Sequence, residues 1–418
     1  MNSLKDKITK QMQQASHAGL LRQRREHKVC EQKVSDQKVS EHKVSEPHAS
    51  ELDERATHAN RVDYQGQTYI NFSNNDYLGL SQSPDLIEAQ YQGAKRYGVG
   101  SGASPLVTGY SDAHSQLEQQ LCAATGHEAA LLFCSGFSAN TALMKTLFDK
   151  NDLVVADKLI HASLIDGLRD SQARLKRFAH NDLSAAKRLI EQHRPSAVIS
   201  ESVFSMDGDC APLDRLYRLC RQNGSWLIID DAHGFGVLGG LGLPKADASN
   251  CDIQVVTFGK ALGCQGAAIL GTQACIDFLV AHARHYIYST ALSPACACVA
   301  AKAVELVSQL SNDGEPQLAR QLAESIHFFK QSCQQVGIEL TDSLTPIQPV
   351  LISELARLER VATSLREQGF MVGAIRPPTV PTGSARLRIT LNLYHTRQEI
   401  TQLIRALSRA LEQNYATE

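Results

Sequence analysis

Lys260 lies in the stretch VVTFGKALGCQGAAIL (255–270), one amine between Gly259 and a run of small apolar residues. Its flanks, Val255-Val256 and Ala267-Ala268-Ile269-Leu270, read as two short buried strands. Lysine is seldom fully buried without a partner, so this amine needs a reason. Upstream, WLIIDDAHGFG carries Asp230 at the end of an apolar strand and His233 three residues later. A carboxylate placed there must have a cationic or strongly donating partner. VVADKLIHASLIDG puts His161 at another strand-to-helix transition, where a lone histidine is more often a cap or a surface residue. FCSGFSAN (133–140) follows a strand and opens a helix. Ser135, Gly136 and Phe137 would therefore offer backbone N–H groups to an anion.

Several chemistries compete for His161, Asp230, His233, Thr257 and Lys260. Zinc accepts His and Asp, but the set has no close histidine pair and lysine is a poor ligand, so no metal is expected. A dinucleotide site is suggested by G-x-G-x-G in GVGSGASPLVTG (98–109). That stretch follows a polar, helix-like segment instead of an apolar strand, which is the wrong context. An aldehyde cofactor uses every odd residue at once. A lysine amine condenses with pyridoxal phosphate, which then draws negative charge from an amino-acid α-carbon. Asp230 would hold a proton on the pyridine nitrogen. His233 would donate to the phenolic oxygen, and the flat ring of His161 would stack on the cofactor. Gly136, Phe137 and the Thr257 hydroxyl would take the phosphate.

These residues need a scaffold. Seven short apolar runs recur: 129–136, 152–158, 173–180, 195–202, 225–234, 252–259 and 266–272. Between several of them lie segments with helical spacing, such as LSAAKRLIEQHR and PLDRLYRLCRQNG. This alternation predicts an α/β fold with a mostly parallel, doubly wound sheet, its functional residues at the C-terminal ends of strands. After a helix near 294–310 the order becomes helix, strand, helix, strand, strand, helix, a smaller α+β domain. The expected division is an N-terminal helix (1–25), a pentapeptide-repeat insert (26–50), a large cofactor-binding α/β domain (51–310) and a small C-terminal domain (311–418). In the repeat EHKVC EQKVS DQKVS EHKVS EPHAS, a period of five gives the valines no common face on a helix or a strand. A solvated, mobile insert is expected.

With 43% apolar and 21% charged residues and a formal net charge of -2, the chain has no basic surface suited to nucleic acid. Eleven cysteines without a CxxC pair fit reduced thiols, and Cys296 and Cys298 read as part of a small-residue helix. The first 26 residues lack the apolar core of a secretory signal, and no run approaches 18 apolar residues. A cytoplasmic protein with no membrane span is expected.

DDAHGFG followed by TFGKALG resembles the α-oxoamine synthases, fold-type-I pyridoxal-phosphate enzymes that condense an amino acid with an acyl thioester. The resemblance extends through NFSNNDYLGL, GVGSGASPLVTGYSDAHSQLE, LLFCSGFSAN, DKLIHASLIDG, ESVFSMDGDCAPL and YSTALSP. It covers nearly the whole chain outside the repeat. It implies that Lys260 bonds the cofactor, Asp230 faces the ring nitrogen, His233 the phenolic oxygen and His161 the ring. Glu201 and Ser205 fall at cofactor-pocket positions. The resemblance also implies a homodimer with sites at the subunit interface, where Ser289 and Thr290 reach the neighbour's phosphate.

Within that family RFAHND (177–182) and AIRPPTVPTGSARLRITL (374–391) resemble the branch that joins L-alanine to a pimeloyl thioester, of CoA or of an acyl carrier protein, in biotin synthesis. Arg388 would then bind the amino-acid carboxylate with its planar fork. Read without the resemblance, ARLRIT alternates and Arg388 would be an exposed strand residue. Arg22 and Asn75 match substrate-contact positions. A glycine-using sister enzyme and a non-catalytic subunit are the rivals, and the latter would be expected to lack Lys260. Pro105 and Phe235 depart from the family pattern beside the expected pocket.

Overall fold

The computed structural model describes residues 4–17, 24, 26–27, 60–240, 244–312 and 314–413. Apart from Glu26 and His27, the repeat at 26–50 lies outside the described residues, as does Arg22. The N-terminal helix runs over Leu4–His17, with Leu4, Ile8 and Met12 exposed along it.

Twelve strands are described: β1 (Arg61–Tyr64), β2 (Gln67–Phe72), β3 (Ala129–Phe133), β4 (Leu153–Asp157), β5 (Arg174–Phe178), β6 (Ala197–Glu201), β7 (Trp226–Asp230), β8 (Ile253–Thr257), β9 (Ala267–Gly271), β10 (Ile347–Leu351), β11 (Phe370–Ile375) and β12 (Arg386–Thr390). All seven runs read from the sequence become strands β3 to β9. They form one sheet in the order β3-β9-β8-β7-β6-β4-β5. The ladders from β5 through β4, β6 and β7 to β8 are parallel, whereas β9 runs antiparallel to both β8 and β3. The sheet is mostly parallel, as expected.

Because successive side chains leave a strand on opposite faces, each strand feeds two cores. Val154, Ile199, Ile228, Val255 and Ile269 join Leu143, Met144 and Leu164 on one face. Val155, Val198, Leu227 and Ile229 join Ile190, Leu216 and Phe204 on the other. Burial on both faces explains the near-continuous apolar runs. The edge strand β5 is the exception, and its Arg174, Lys176 and Arg177 point to solvent.

The chain forms two compact units. One holds Asn74–Pro349 and Thr390–Thr401; the other holds the described parts of Met1–Ser73, Val350–Ile389 and Gln402–Glu418. These limits differ from a division at residue 311. The helix Gln317–Gln335 belongs to the larger unit, and residues 60–73 belong to the smaller. The physical reason is pairing across the sequence: β2 lies parallel to β11, with Phe72 opposite Val372. The second sheet has the order β1-β2-β11-β12-β10, and the boundary between the units falls inside β10.

Candidate active site

Four parallel strands of the larger unit end in polar residues: Asp157 on β4, Glu201 on β6, Asp230 on β7 and Thr257 on β8. Glu201 and Asp230 are direct neighbours in the ladder. A cavity of about 340 Å³ opens beyond these ends. Its wall includes Ser135, Gly136, Phe137, His161, Glu201, Asp230, His233, Thr257 and Lys260, so nine residues singled out from sequence meet there. Ligand crevices of open α/β sheets lie at this edge.

Lys260 sits in the loop between β8 and β9, whose register brings Thr257 opposite Ala267. The two buried flanks seen in the sequence are therefore the arms of an antiparallel pair. Lys260 itself is half-buried, not buried, because it projects from that loop into the cavity wall. Of the two glycines around it, Gly263 has the structural demand, with φ +64° and a Cβ position 2.2 Å from the Ser81 nitrogen. It admits the Leu80–Ser81 backbone, whereas at Gly259 the nearest atom would be 3.4 Å away.

Asp230 is 5% exposed. Among the described residues its hydrogen-bond donors are neutral: the Asn140 Nδ2 donates to Oδ2 at 2.7 Å, and the Ala232 N–H donates to Oδ1 at 3.0 Å. Beside it, burial pushes the Asp231 carboxyl up to about 7, despite hydrogen bonds from Ser202 and from Gln254 at 2.7 Å. Burial also raises Glu201 well above the usual carboxylate range. The charge of Asp230 adds to that rise and the charge of Lys260 opposes it.

His233 is buried, with its Nδ1 2.7 Å from the Tyr77 hydroxyl, and that hydroxyl also reaches Asn75 Oδ1 at 3.2 Å. Asn75 thus enters the site's hydrogen bonding through Tyr77. His161 caps the helix Ala162–Ser171 and bonds Ser163 through Nδ1.

The helix Gly136–Leu147 presents its first turn to the cavity. Its opening N–H groups have no acceptor within the helix. A Cβ on Gly136 would lie 2.4 Å from Thr257 Cγ2, so only glycine lets this turn close on the threonine. Ser135 is the N-cap and accepts from the Ser138 N–H at 3.2 Å. The donors and hydroxyl suit a phosphate, and the amine, carboxylate and imidazoles beyond them suit a cationic aromatic aldehyde. Pyridoxal phosphate fits this wall.

Four further residues given weight in the sequence, Ser205, Ser289, Thr290 and Phe235, do not line this cavity. Ser205 follows β6 in a half-buried turn that does not line the cavity. Ser289 and Thr290 are exposed and line a separate small hollow of about 40 Å³ with Pro105 and Cys134. Phe235 is half-buried and absent from the cavity wall. Arg388 lies in β12, in the smaller unit, and is 7% exposed. Every residue of that strand is buried, including Arg386, so Arg388 is not the exposed residue its alternation suggested. Sequence reasoning gave no role to Asn140, Ser163, Tyr77 or Asp231. A polar residue between Ala139 and the buried run to Met144 was the available signal for Asn140.

Among the described residues, no group of three or more His, Cys, Asp or Glu side chains is placed to hold a metal, and no helix is long and apolar enough to cross a membrane.

The family model for class I and II aminotransferases matches residues 67–407. The 8-amino-7-oxononanoate synthase of Vibrio cholerae serotype O1 is 46% identical over 353 residues, covering 84% of this chain and 90% of that protein. The one from Aeromonas salmonicida is 47% identical over 352 residues, covering 83% and 87%. The crystal structure of 8-amino-7-oxononanoate synthase from Francisella tularensis superposes with a TM-score of 0.71 at 33% identity, over 83% of this chain and 99% of that one. A serine palmitoyltransferase from Sphingomonas wittichii gives 0.79 at 25% identity, over 86% and 91%.

Proposed function

We infer the working of this site from one premise: the chain belongs to the 8-amino-7-oxononanoate synthases, pyridoxal-phosphate-dependent acyltransferases with the class I and II aminotransferase fold. Its reaction is the decarboxylative condensation of L-alanine with a pimeloyl thioester to 8-amino-7-oxononanoate, CO2 and free thiol, a step of biotin biosynthesis. The observation that carries this reading is the single wall bearing Lys260, Asp230, His233, His161 and the first turn of the helix Gly136–Leu147. When bound, pyridoxal phosphate supplies an electron sink for negative charge at the amino-acid α-carbon.

Lys260 Nζ would bond the cofactor aldehyde and, as a free amine, would take the proton from the amino-acid α-carbon. Asp230 holds a proton on the ring nitrogen by charge pairing. His233, held at Nδ1 by Tyr77, is assigned to the phenolic oxygen. His161 contributes the flat face of its ring. Ser135, Gly136, Phe137 and Thr257 bind the phosphate. Glu201, held toward its neutral form, lines the pocket without a second full negative charge beside Asp230. Ser205 is assigned to the cofactor pocket from its place after β6. Arg388 is assigned to the alanine carboxylate, and Asn75 and Arg22 to substrate contacts. A homodimer in which Ser289 and Thr290 serve the neighbouring phosphate completes the proposal. The thioester is carried by CoA or by a carrier protein.

An absorbance titration tests the reading. Protein purified with pyridoxal phosphate should absorb at the blue edge of the visible, and the band should shift with L-alanine but not with glycine. Absence of the band overturns the cofactor assignment, and a response to glycine alone overturns the substrate. Lys260→Ala should lose turnover by about 10³-fold or more.

A further inference from the structure

Asn140 sits one turn into the helix Gly136–Leu147, 2% exposed, on the cavity wall. Its Nδ2 lies 2.7 Å from Asp230 Oδ2 and 3.0 Å from Ser163 Oγ. An ionised carboxylate only accepts, so the amide can face Asp230 in one orientation alone, with its NH₂ group. Both Nδ2 hydrogens are then committed. Ser163, fully buried, accepts one of them at Oγ. Its own hydroxyl hydrogen is left for His161 Nδ1, 2.7 Å away. The Ser163 backbone N–H also points at that nitrogen, at 3.3 Å, and a backbone N–H can only donate. His161 Nδ1 is therefore an acceptor, and the ring proton resides on Nε2.

One neutral amide thus orients two groups of the wall. The choice of asparagine is not explained by packing. Its Oδ1 is buried and has no hydrogen-bond partner among the described residues, a cost that an apolar residue would not carry. Its value lies in donating without charge. A lysine or arginine at this position would pair with Asp230 and consume its field, whereas the amide fixes the carboxylate and leaves its charge for a cationic ring nitrogen.

We propose that Asn140 is a positioning residue for the acyl-transfer site: it holds the Asp230 carboxylate by a neutral hydrogen bond and, through Ser163, holds His161 as the neutral ring protonated at Nε2. The proposal rests on the assignment of this cavity to pyridoxal phosphate. Three measurements on the full chain test it. Asn140→Leu should raise the Kd of the apoenzyme for pyridoxal phosphate by about tenfold to a hundredfold, the loss expected for a hydrogen bond to a charged group. Because the variant strips a donor from buried Asp230, its thermal midpoint should fall, and the Kd is read well below that midpoint, where both proteins are folded. Ser163→Ala removes the hydroxyl donor but keeps the backbone N–H on Nδ1, so ¹⁵N imidazole shifts of histidine-labelled apoprotein should show the Nε2–H tautomer of His161 still dominant but less exclusively populated than in the unaltered protein.

Cofactor binding by Asn140→Leu within twofold of the unaltered protein would overturn the proposal. So would a His161 Nδ1 that carries the proton in the unaltered protein, a result read without any variant. If the unaltered protein binds no pyridoxal phosphate, the site assignment itself fails, a different outcome from normal binding with indifferent variants.

Discussion

Asp157, Glu201 and Asp230 end three adjacent parallel strands, and the protein treats the first unlike the others. Asp157 meets a base. Its Oδ1 lies 3.0 Å from His180 Nδ1, and the other ring nitrogen lies 2.8 Å from Asp209 Oδ2. A ring with both nitrogens on carboxylates donates from both and is charged. Burial disfavours that charge, but the hydrogen bonds to Asp157 and Asp209 outweigh it and raise His180 to about 10. Asn181 seals the cluster, with its N–H on Asp157 at 2.8 Å and its amide on Asp209 at 2.6 Å. Asp230, by contrast, is bonded among the described residues by an amide and a backbone N–H, both neutral, and has a face on the cavity. The same sequence signal, an acid closing an apolar strand, marks a clamp in one place and a cavity wall in the other. What separates them is whether the partner brings a charge.

A pair of isosteric substitutions separates the two carboxylates most sharply. Asp230→Asn should lower kcat/KM by on the order of 10²–10⁴-fold with little change in unfolding free energy. Asp157→Asn should do the reverse, keeping turnover per folded molecule within about threefold while costing about 3 kcal/mol of stability, since it strips one side of a buried pair. Chemical denaturation and steady-state kinetics on both variants measure the crossing. Equal losses of activity would erase the distinction.

The clamp also carries a pH signature. The folded value for His180, about 10, lies above its ordinary 6.5. Its contribution is therefore complete below about pH 6.5 and lost as pH rises through about 10. His180→Gln should cost about 2 kcal/mol at pH 6 and progressively less toward pH 10, read from urea unfolding at several pH values. A gap that widens with pH would contradict the charged ring. The smallest effect is expected where the helix Gly136–Leu147 meets Thr257 on the cavity wall. Gly136→Ala places a methyl against Thr257 and should weaken cofactor binding by about tenfold, measured by titration of the apoenzyme.

Much of this was legible in the sequence where the signal was local. Seven apolar runs announced seven strands because both faces of the sheet are covered, and the acids and histidines at their ends stood out against that background. Partners distant in sequence were not legible. Nothing in WLIIDD says that Asp230 is met by Asn140, ninety residues away. Alternation in ARLRIT suggested a solvent face for Arg388, but β12 is buried throughout. The division into units failed to follow composition because β2 is completed by β11, a pairing with no local trace.

That pairing has a consequence for how the chain is made. Phe72 and its partner Val372 are 300 residues apart. At a synthesis rate of about 5–20 residues per second, β2 emerges roughly 15–60 s before the strand that completes it exists. The larger unit meanwhile gathers nearly all its sequence between residues 74 and 349. The cavity wall is thus available to assemble while the β1–β2 hairpin still waits with an open edge, a template for mispairing until β11 is made.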